Sequence, residues 1–217
     1  MTIEQFYQQG HYHKINGFRI ESVIKMIGQR PNQVILDIGC SIGLLGQEVK
    51  KRLACQFYGA DLSAPAVAAA KNVLDDAWVL NLENDLSNWP QELKAKAYDA
   101  IVISEVLEHL FEPENLLVKL KGLAMPAKSI IITVPNILFW KNRLKILVGH
   151  FDYTNQGIMD RGHIHFFSWA SFNKMIEEAG YQIMAVDNHL PTRGTKWLGK
   201  IWPGLFSFQF VVKIKTK

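Results

Sequence analysis

The sequence predicts an α/β fold in which a parallel sheet carries helices on both faces. Three observations support this. Val34, Ile35, Leu36 and Ile38 form a short apolar, β-branched run, the pattern of a strand covered on both sides. The run leads into the turn Asp37-Ile38-Gly39-Cys40-Ser41-Ile42-Gly43, and Leu44, Leu45 and Val49 then open a helix. A second strand-like run, Cys55 to Asp61, also ends in an acid, 24 positions after Asp37. With 217 residues the chain can bury a real core, and 1–217 is read as one domain with an insertion at about 137–167.

Composition narrows the class. A formal net charge of +4 is too small to indicate nucleic-acid binding. Cys40 and Cys55 show no metal-type pairing, so a reduced, cytoplasmic protein is expected. The segment Met1 to Gln5 lacks the basic start and apolar centre of a signal peptide. No apolar run is long enough to span a bilayer.

Taken in order, Ile20, Val23, Ile24 and Ile27 recur at helical spacing, and Gly28 is a stop. The glycine turn then selects among nucleotide ligands. A dinucleotide fingerprint needs glycines where Ser41 and Leu44 stand, and a Walker loop needs a Gly-Lys-Ser/Thr that is missing. Asp37 would repel a pyrophosphate but accept hydrogen bonds from an ammonium group. This favours a nucleoside with an amino-acid end, such as S-adenosylmethionine (SAM). Gly39 suits a backbone conformation closed to other residues, and Gly43 allows close approach by a ligand or a neighbouring backbone. Asp61 suits the two hydroxyls of a ribose. Ser63 caps an Ala-rich helix reaching about Leu74, and Ala77 to Leu82 is a third strand.

Tyr98 to Ser104 is the fourth strand. In the following Glu105-Val106-Leu107-Glu108-His109-Leu110, a helix would place Glu105, Glu108 and His109 on one face. Pro113 to Leu123 is a helix with Leu116, Leu117 and Leu120 inward, and Ser129 to Val134 is the fifth strand, closed by Pro135-Asn136. Within 137–167, Ile137, Trp140, Leu144, Leu147 and Val148 form an apolar stripe, with Lys141, Arg143 and Lys145 off it. Such a basic amphipathic helix either packs on the core as a cap or faces a membrane surface. Asp152, Tyr153, Asp160, Arg161, His163, His165 and Phe166 crowd the loop that follows, which suggests a substrate wall. Trp140, Arg143, Tyr153 and Arg161 are the acceptor-contact candidates. His163 and His165 either serve as bases or stabilise turns. A helix through Phe172, Met175, Ile176 and Ala179 stops at Gly180. Gln182 to Val186 and Phe206 to Ile214 are read as a last, antiparallel pair. No acid follows Asn188, while Arg193, Lys196, Lys200, Lys213, Lys215 and Lys217 are basic. That edge would face anionic lipid, or it is a sheet edge blunted by lysines.

The turn from Asp37 to Gly43 resembles motif I of the class I SAM-dependent methyltransferases, an acid followed by x-G-x-G-x-G, with Ser41 at the middle glycine. Glu105 to Leu110 resembles the signature after their fourth strand, and the Pro135-Asn136 ending is also similar. The resemblance is to the group that includes the ubiquinone-biosynthesis O-methyltransferases. It implies a Rossmann-like, mostly parallel seven-stranded sheet with helices on both faces and an antiparallel last strand. It implies SAM as cofactor, S-adenosylhomocysteine (SAH) as product, and methylation of an oxygen on a small or amphiphilic acceptor that is quinol-like, lipid-like or a saccharide. The cofactor contacts it implies are Arg19, Asp37, Gly39, Ser41, Gly43, Asp61, Leu62, Asn81, Leu82 and Ser104, with Asp85 competing for the role of Asn81 at adenine. Arg19 would hold the methionine carboxylate.

In ubiquinone-type enzymes the residues matching Glu105, Glu108 and His109 are described as magnesium ligands; the other reading is that they orient loops without a metal. His165 resembles a histidine that precedes the next helix in related enzymes, and His165, His163 and His109 are the candidate bases. Ser104-Glu105-Val106-Leu107 stands where N-methyltransferases carry Asn/Asp-Pro-Pro-Tyr, which disfavours nucleic-acid or protein N-methylation. A second class of function is a SAM-binding partner protein without methyl transfer of its own, similar to the methionine-biosynthesis W-type proteins.

Overall fold

Residues 16–123, 127–190 and 196–217 are described by the structure, a computed structural model. The apolar run before the glycine turn is β1 (Gln33–Ile38), paired with β2 (Cys55–Asp61) on one side and β4 (Ala100–Ser104) on the other. β3 (Asp76–Val79) extends the sheet beyond β2, and β5 (Ile130–Pro135) extends it beyond β4, all five in parallel. β7 (Gln209–Thr216) enters antiparallel between β5 and β6 (Tyr181–Val186). The order is β3-β2-β1-β4-β5-β7-β6, the seven-stranded sheet that the sequence predicted.

The continuous apolar runs exist because both faces are covered. All six residues of β5 are buried. Along each strand, successive residues feed opposite cores. Ile35, Val102, Ile131 and Val211 join one cluster with α1 (Gly17–Ile27), α2 (Leu44–Lys50) and α3 (Ala64–Ala70). Leu36, Ile101, Ile103, Ile132 and Phe210 join the other, with α4 (Gln91–Lys94), α5 (Pro113–Lys121) and α7 (Trp169–Glu178). Local chemistry sets the helix ends. The Asn16 side chain accepts from the Phe18 N–H at the start of α1, Gly28 ends it at φ +80°, and Ser63 Oγ accepts from the Ala66 N–H to cap α3.

Six expectations change. β3 stops at Val79 rather than Leu82, and α3 stops at Ala70, followed by turns. Glu105 does not begin a helix. Its N–H donates to the Thr133 carbonyl at 3.0 Å, its φ is +57°, and only a 3-10 turn over Leu107–His109 follows. Phe206 belongs to a short helix, α9 (Pro203–Phe206), because Pro203 is preset for a first helical turn. The lysines of β7 do not blunt a sheet edge, since β7 has a neighbour on each side and Lys213 Nζ donates to the Met26 carbonyl at 2.7 Å. Finally, α6 (Trp140–Leu147) has no buried residue, so this helix is not packed on the core. Phe139, just before it, takes the anchoring role, 3% exposed and edge-on to Phe208. α8 (Lys196–Ile201) completes the helices, and Arg193 lies outside the described residues.

Candidate active site

The glycine turn lies at the carboxyl edge of the sheet and is built from three left-handed residues, Gly39 (φ +80°), Ser41 (φ +50°) and Gly43 (φ +81°). The N–H groups of Gly39 and Cys40 both donate to the Ala60 carbonyl, at 2.7 and 3.0 Å. A Cβ on Gly39 would stand 2.3 Å from Val106 Cγ2, so φ and packing both demand glycine there. At Gly43 the close neighbour is α3: a Cβ would lie 3.3 Å from Ala70 Cα and 2.8 Å from Val73 Cγ2. Ser41 carries the left-handed conformation without being glycine. Its N–H donates to Asp61 Oδ2 at 2.8 Å, a charge-assisted bond that offsets the strain. The Ser63 N–H donates to Asp61 Oδ1 at 2.9 Å. Burial raises the Asp61 carboxyl above its ordinary value, while the N–H groups of Ser63, Ser41 and Leu62 pull it down. The end of β2 is therefore tied to the turn after β1.

Beside it lies a charged corner. Asp37 is buried, its Oδ1 has no hydrogen-bond partner, and burial, then Asp61, pushes its carboxyl upward while Arg19 pulls it down. Arg19 reaches Glu105 Oε2 at 3.3 Å, and its own buried Nε lacks a partner. Glu105 Oε1 accepts from Thr133 Oγ1 at 3.1 Å and from Gln209 Nε2 at 2.6 Å. Thr133 Oγ1 is also 3.1 Å from Ser104 Oγ. Thus α1, β1, β4, β5 and β7 each deliver one polar group to this corner. It holds one unsatisfied buried acceptor, on Asp37, and one unsatisfied buried donor, on Arg19.

The remaining expected contacts are placed differently. Asn81 is exposed, and its Oδ1 accepts from the Glu83 N–H at 3.0 Å. Leu82 packs on the core, and its carbonyl accepts from Lys119 Nζ at 2.8 Å. Of the three predicted histidines, His109 and His165 bridge two loops and His163 pins one of these loops to itself. His109 Nδ1 donates to the Gly162 carbonyl at 2.9 Å, His163 Nδ1 to Ile158 at 3.1 Å, and His165 Nε2 to Phe111 at 3.0 Å. A carbonyl only accepts, so those nitrogens carry the hydrogen. The Ile164 and His165 N–H groups donate to the Glu108 carbonyl at 2.9 and 3.0 Å. Burial, with His163 beside it, pushes His109 down to about 4, which keeps it neutral. Tyr153 and Arg161 do come together, lining with Phe151 and Asp152 an open pocket of about 500 Å³. Trp140 and Arg143 are not in that lining. Arg143 Nε instead donates to the Leu138 carbonyl at 2.7 Å, clasping the start of α6.

Glu105 does not join Glu108 and His109. Among the described residues, the grouping with metal-ligand proximity is Glu108, His109 and His163. Sequence reasoning also missed His189, a lone histidine in an acid-free tail with no periodicity to mark it. Its ring stacks on Phe18 at 4.3 Å and meets Phe208 edge-on at 5.7 Å. Its Nδ1 is buried without a partner, and burial, then Arg19, lowers its pKa. Its backbone is paired with Gln209, which places it after β6 at the same sheet edge as the charged corner.

A family model described as a methyltransferase domain matches residues 13–186. The ubiquinone biosynthesis O-methyltransferase of Sodalis glossinidius is 25% identical over 125 residues, covering 57% of this chain and 50% of the relative. That of Rickettsia typhi is 31% identical over 137 residues, covering 58% and 52%. The chain thus spans about half the length of these curated relatives. The magnesium protoporphyrin IX methyltransferase of Synechocystis, crystallised with SAH bound, superposes with a TM-score of 0.61 over 99% of this chain and 93% of its own, at 17% identity. That likeness is one of fold.

Proposed function

Since the chain belongs to the methyltransferase-domain family, we propose that it methylates an oxygen of a small or amphiphilic acceptor with SAM as donor. The observation that carries the cofactor reading is the unsatisfied buried pair. Asp37 Oδ1 suits an ammonium and Arg19 a carboxylate, and a methionine end presents both. Asp61, already fixed by two backbone N–H groups, retains lone pairs for ribose hydroxyls. Arg19 would exchange part of its pairing with Glu105 for the incoming carboxylate, while Thr133 and Gln209 keep Glu105 satisfied. Bound SAM supplies a methyl group already activated by sulfonium charge. What remains for the protein is alignment and removal of the acceptor proton.

His189 fits that second task better than the three predicted histidines. Burial, then the Arg19 charge beside it, lowers its pKa and so favours the neutral ring, which is walled by aromatic rings. Oxygen as the acceptor atom rests on the names of the relatives. An amphiphilic acceptor reached at a membrane surface is supported by α6. Leu144, Leu147 and Val148 are 53%, 80% and 71% exposed, and Lys141, Arg143 and Lys145 surround them. Among the described residues, no helix is long and apolar enough to cross a membrane.

Calorimetry with SAM, followed by SAH detection against a panel of phenolic, quinol and saccharide acceptors, tests the reading. SAM binding that is lost in Arg19→Ala and Asp37→Ala, together with SAH formation, supports it. Binding without turnover on any acceptor would favour the SAM-binding partner protein, and absence of binding would refute the site.

A further inference from the structure

Glu108 is fully buried, and neither of its carboxylate oxygens has a hydrogen-bond partner. A charged carboxyl in such a place is costly unless a cation or donors reach it. His163 Nε2 stands 3.9 Å from Glu108 Oε1, too far for a hydrogen bond, and the rings of His109 and His163 meet edge-on at 4.8 Å. Both rings donate Nδ1–H to a backbone carbonyl. That bond fixes the tautomer with its lone pair on Nε2, as the outer hydrogen bond of a metal-bound histidine does. Ligand-type atoms of the three residues all lie within 4.8 Å of one another.

We propose that Glu108, His109 and His163 form a binding site for one divalent transition-metal ion of the zinc, iron or cobalt class. Two imidazole nitrogens and one carboxylate suit such ions, whereas magnesium prefers oxygen and water. Bonds of about 2.0–2.1 Å put neighbouring ligand atoms about 3.3 Å apart, so side-chain rotation must draw the three together. The set departs from the one that the resemblance implies. Glu105 is occupied by Arg19, Thr133 and Gln209, and His163 replaces it. Exchanging an oxygen donor for a nitrogen donor changes the kind of ion as well. Glu108 and His109 belong to the turn after β4, and His163 to the loop that carries the acceptor wall. The ion would therefore buckle that wall to the sheet.

The site does not depend on the methyl-transfer reading, and its test needs neither SAM nor acceptor. Chelator-treated full-length protein is titrated with Co²⁺, read by visible absorption, and with Zn²⁺ in competition with a chromophoric chelator. One equivalent is expected to bind, with excess Mg²⁺ failing to displace it. Affinity should fall by about 100-fold or more in Glu108→Gln and in His163→Asn and by clearly less in Glu105→Gln, whose charge acts on Glu108 and His109 from outside the ligand set. Zn²⁺ should raise the melting temperature of the wild type but not of His163→Asn. The proposal is overturned if wild-type protein gives no cobalt spectrum at one equivalent, if folded His163→Asn binds as tightly as wild type, or if Glu105→Gln loses as much affinity as His163→Asn.

Discussion

Gly39→Ala is the sharpest perturbation of the glycine turn, because two separable penalties meet at one atom. The first is conformational. At φ +80° an L-residue costs about 1–2 kcal/mol, reduced by roughly 0.4–1 kcal/mol because alanine also restricts the unfolded chain. The second is steric. The new methyl would stand 2.3 Å from Val106 Cγ2, and overpacking of a stiff β-branched side chain costs about 1–3 kcal/mol. The single variant should therefore lose about 1–4 kcal/mol of stability. Val106→Ala alone should lose about 1.6 kcal/mol, for two methyl groups at 8% exposure. In the double variant the steric penalty vanishes and the alanine methyl fills part of the space vacated by Val106. The double-mutant cycle should then show a favourable coupling of about 1–3 kcal/mol, with the conformational penalty remaining. Urea unfolding of the four proteins measures it. Additivity within about 0.5 kcal/mol would show that Val106 does not close over the turn, and the packing argument would fail.

Other outcomes follow from the same site. His189→Asn should lower the methylation rate by about 10²–10⁴ with SAM affinity retained. Burial and Arg19 lower this histidine, so it gains its proton only below the ordinary value of 6.5. The acid limb of the kcat/KM profile should accordingly lie below that pH and disappear in the variant; a limb unchanged in His189→Asn would assign the proton to another group. His165→Ala should chiefly loosen the loop held at the Phe111 carbonyl, raising KM and protease sensitivity; a rate loss with KM unchanged would restore His165 as the base. Asp61→Ala should weaken SAM binding by about 1–3 kcal/mol, since charge-assisted bonds to ribose and to Ser41 are both lost, and unchanged calorimetric affinity would remove ribose from this acid. Lys141→Glu with Arg143→Glu should reduce sedimentation with anionic liposomes, each cation being worth about 1 kcal/mol at such a surface. Wild-type protein that stays in the supernatant at low salt would instead leave the exposed stripe to a different partner.

The sequence made the doubly covered strands easy to recognise, because burial on both faces leaves no polar alternation to confuse the reading. The end of β3 was hidden for the opposite reason. Leu80 is buried and Leu82 packs on the core, so apolar character continues past the last ladder position at Val79. Glu105 to His109 has helical spacing, yet a sheet hydrogen bond to Thr133 and the Arg19 pairing hold Glu105 in another conformation. Local propensity could not reveal partners so distant in the chain. The histidines show the same limit. Their residue type marked them as bases, whereas their carbonyl partners, known only after folding, make three of them loop clasps. His189 was invisible because what distinguishes it, Phe18 and Arg19, lies at the other end of the sequence. For α6, spacing revealed an apolar face and could not say that the face stays uncovered.

The position of β7 bears on how the molecule is made. It follows β6 in the chain, yet it sits inside the sheet, between β5 and β6. Until residues 209–216 emerge, β5, buried along its whole length in the finished protein, presents an open, apolar edge. Nascent chains stalled before that point would hold a five-stranded parallel sheet whose free edge is a template for another chain. The vulnerable interval therefore runs from the emergence of β5 to that of β7, and slow translation of the stretch between them would expose that edge for longest.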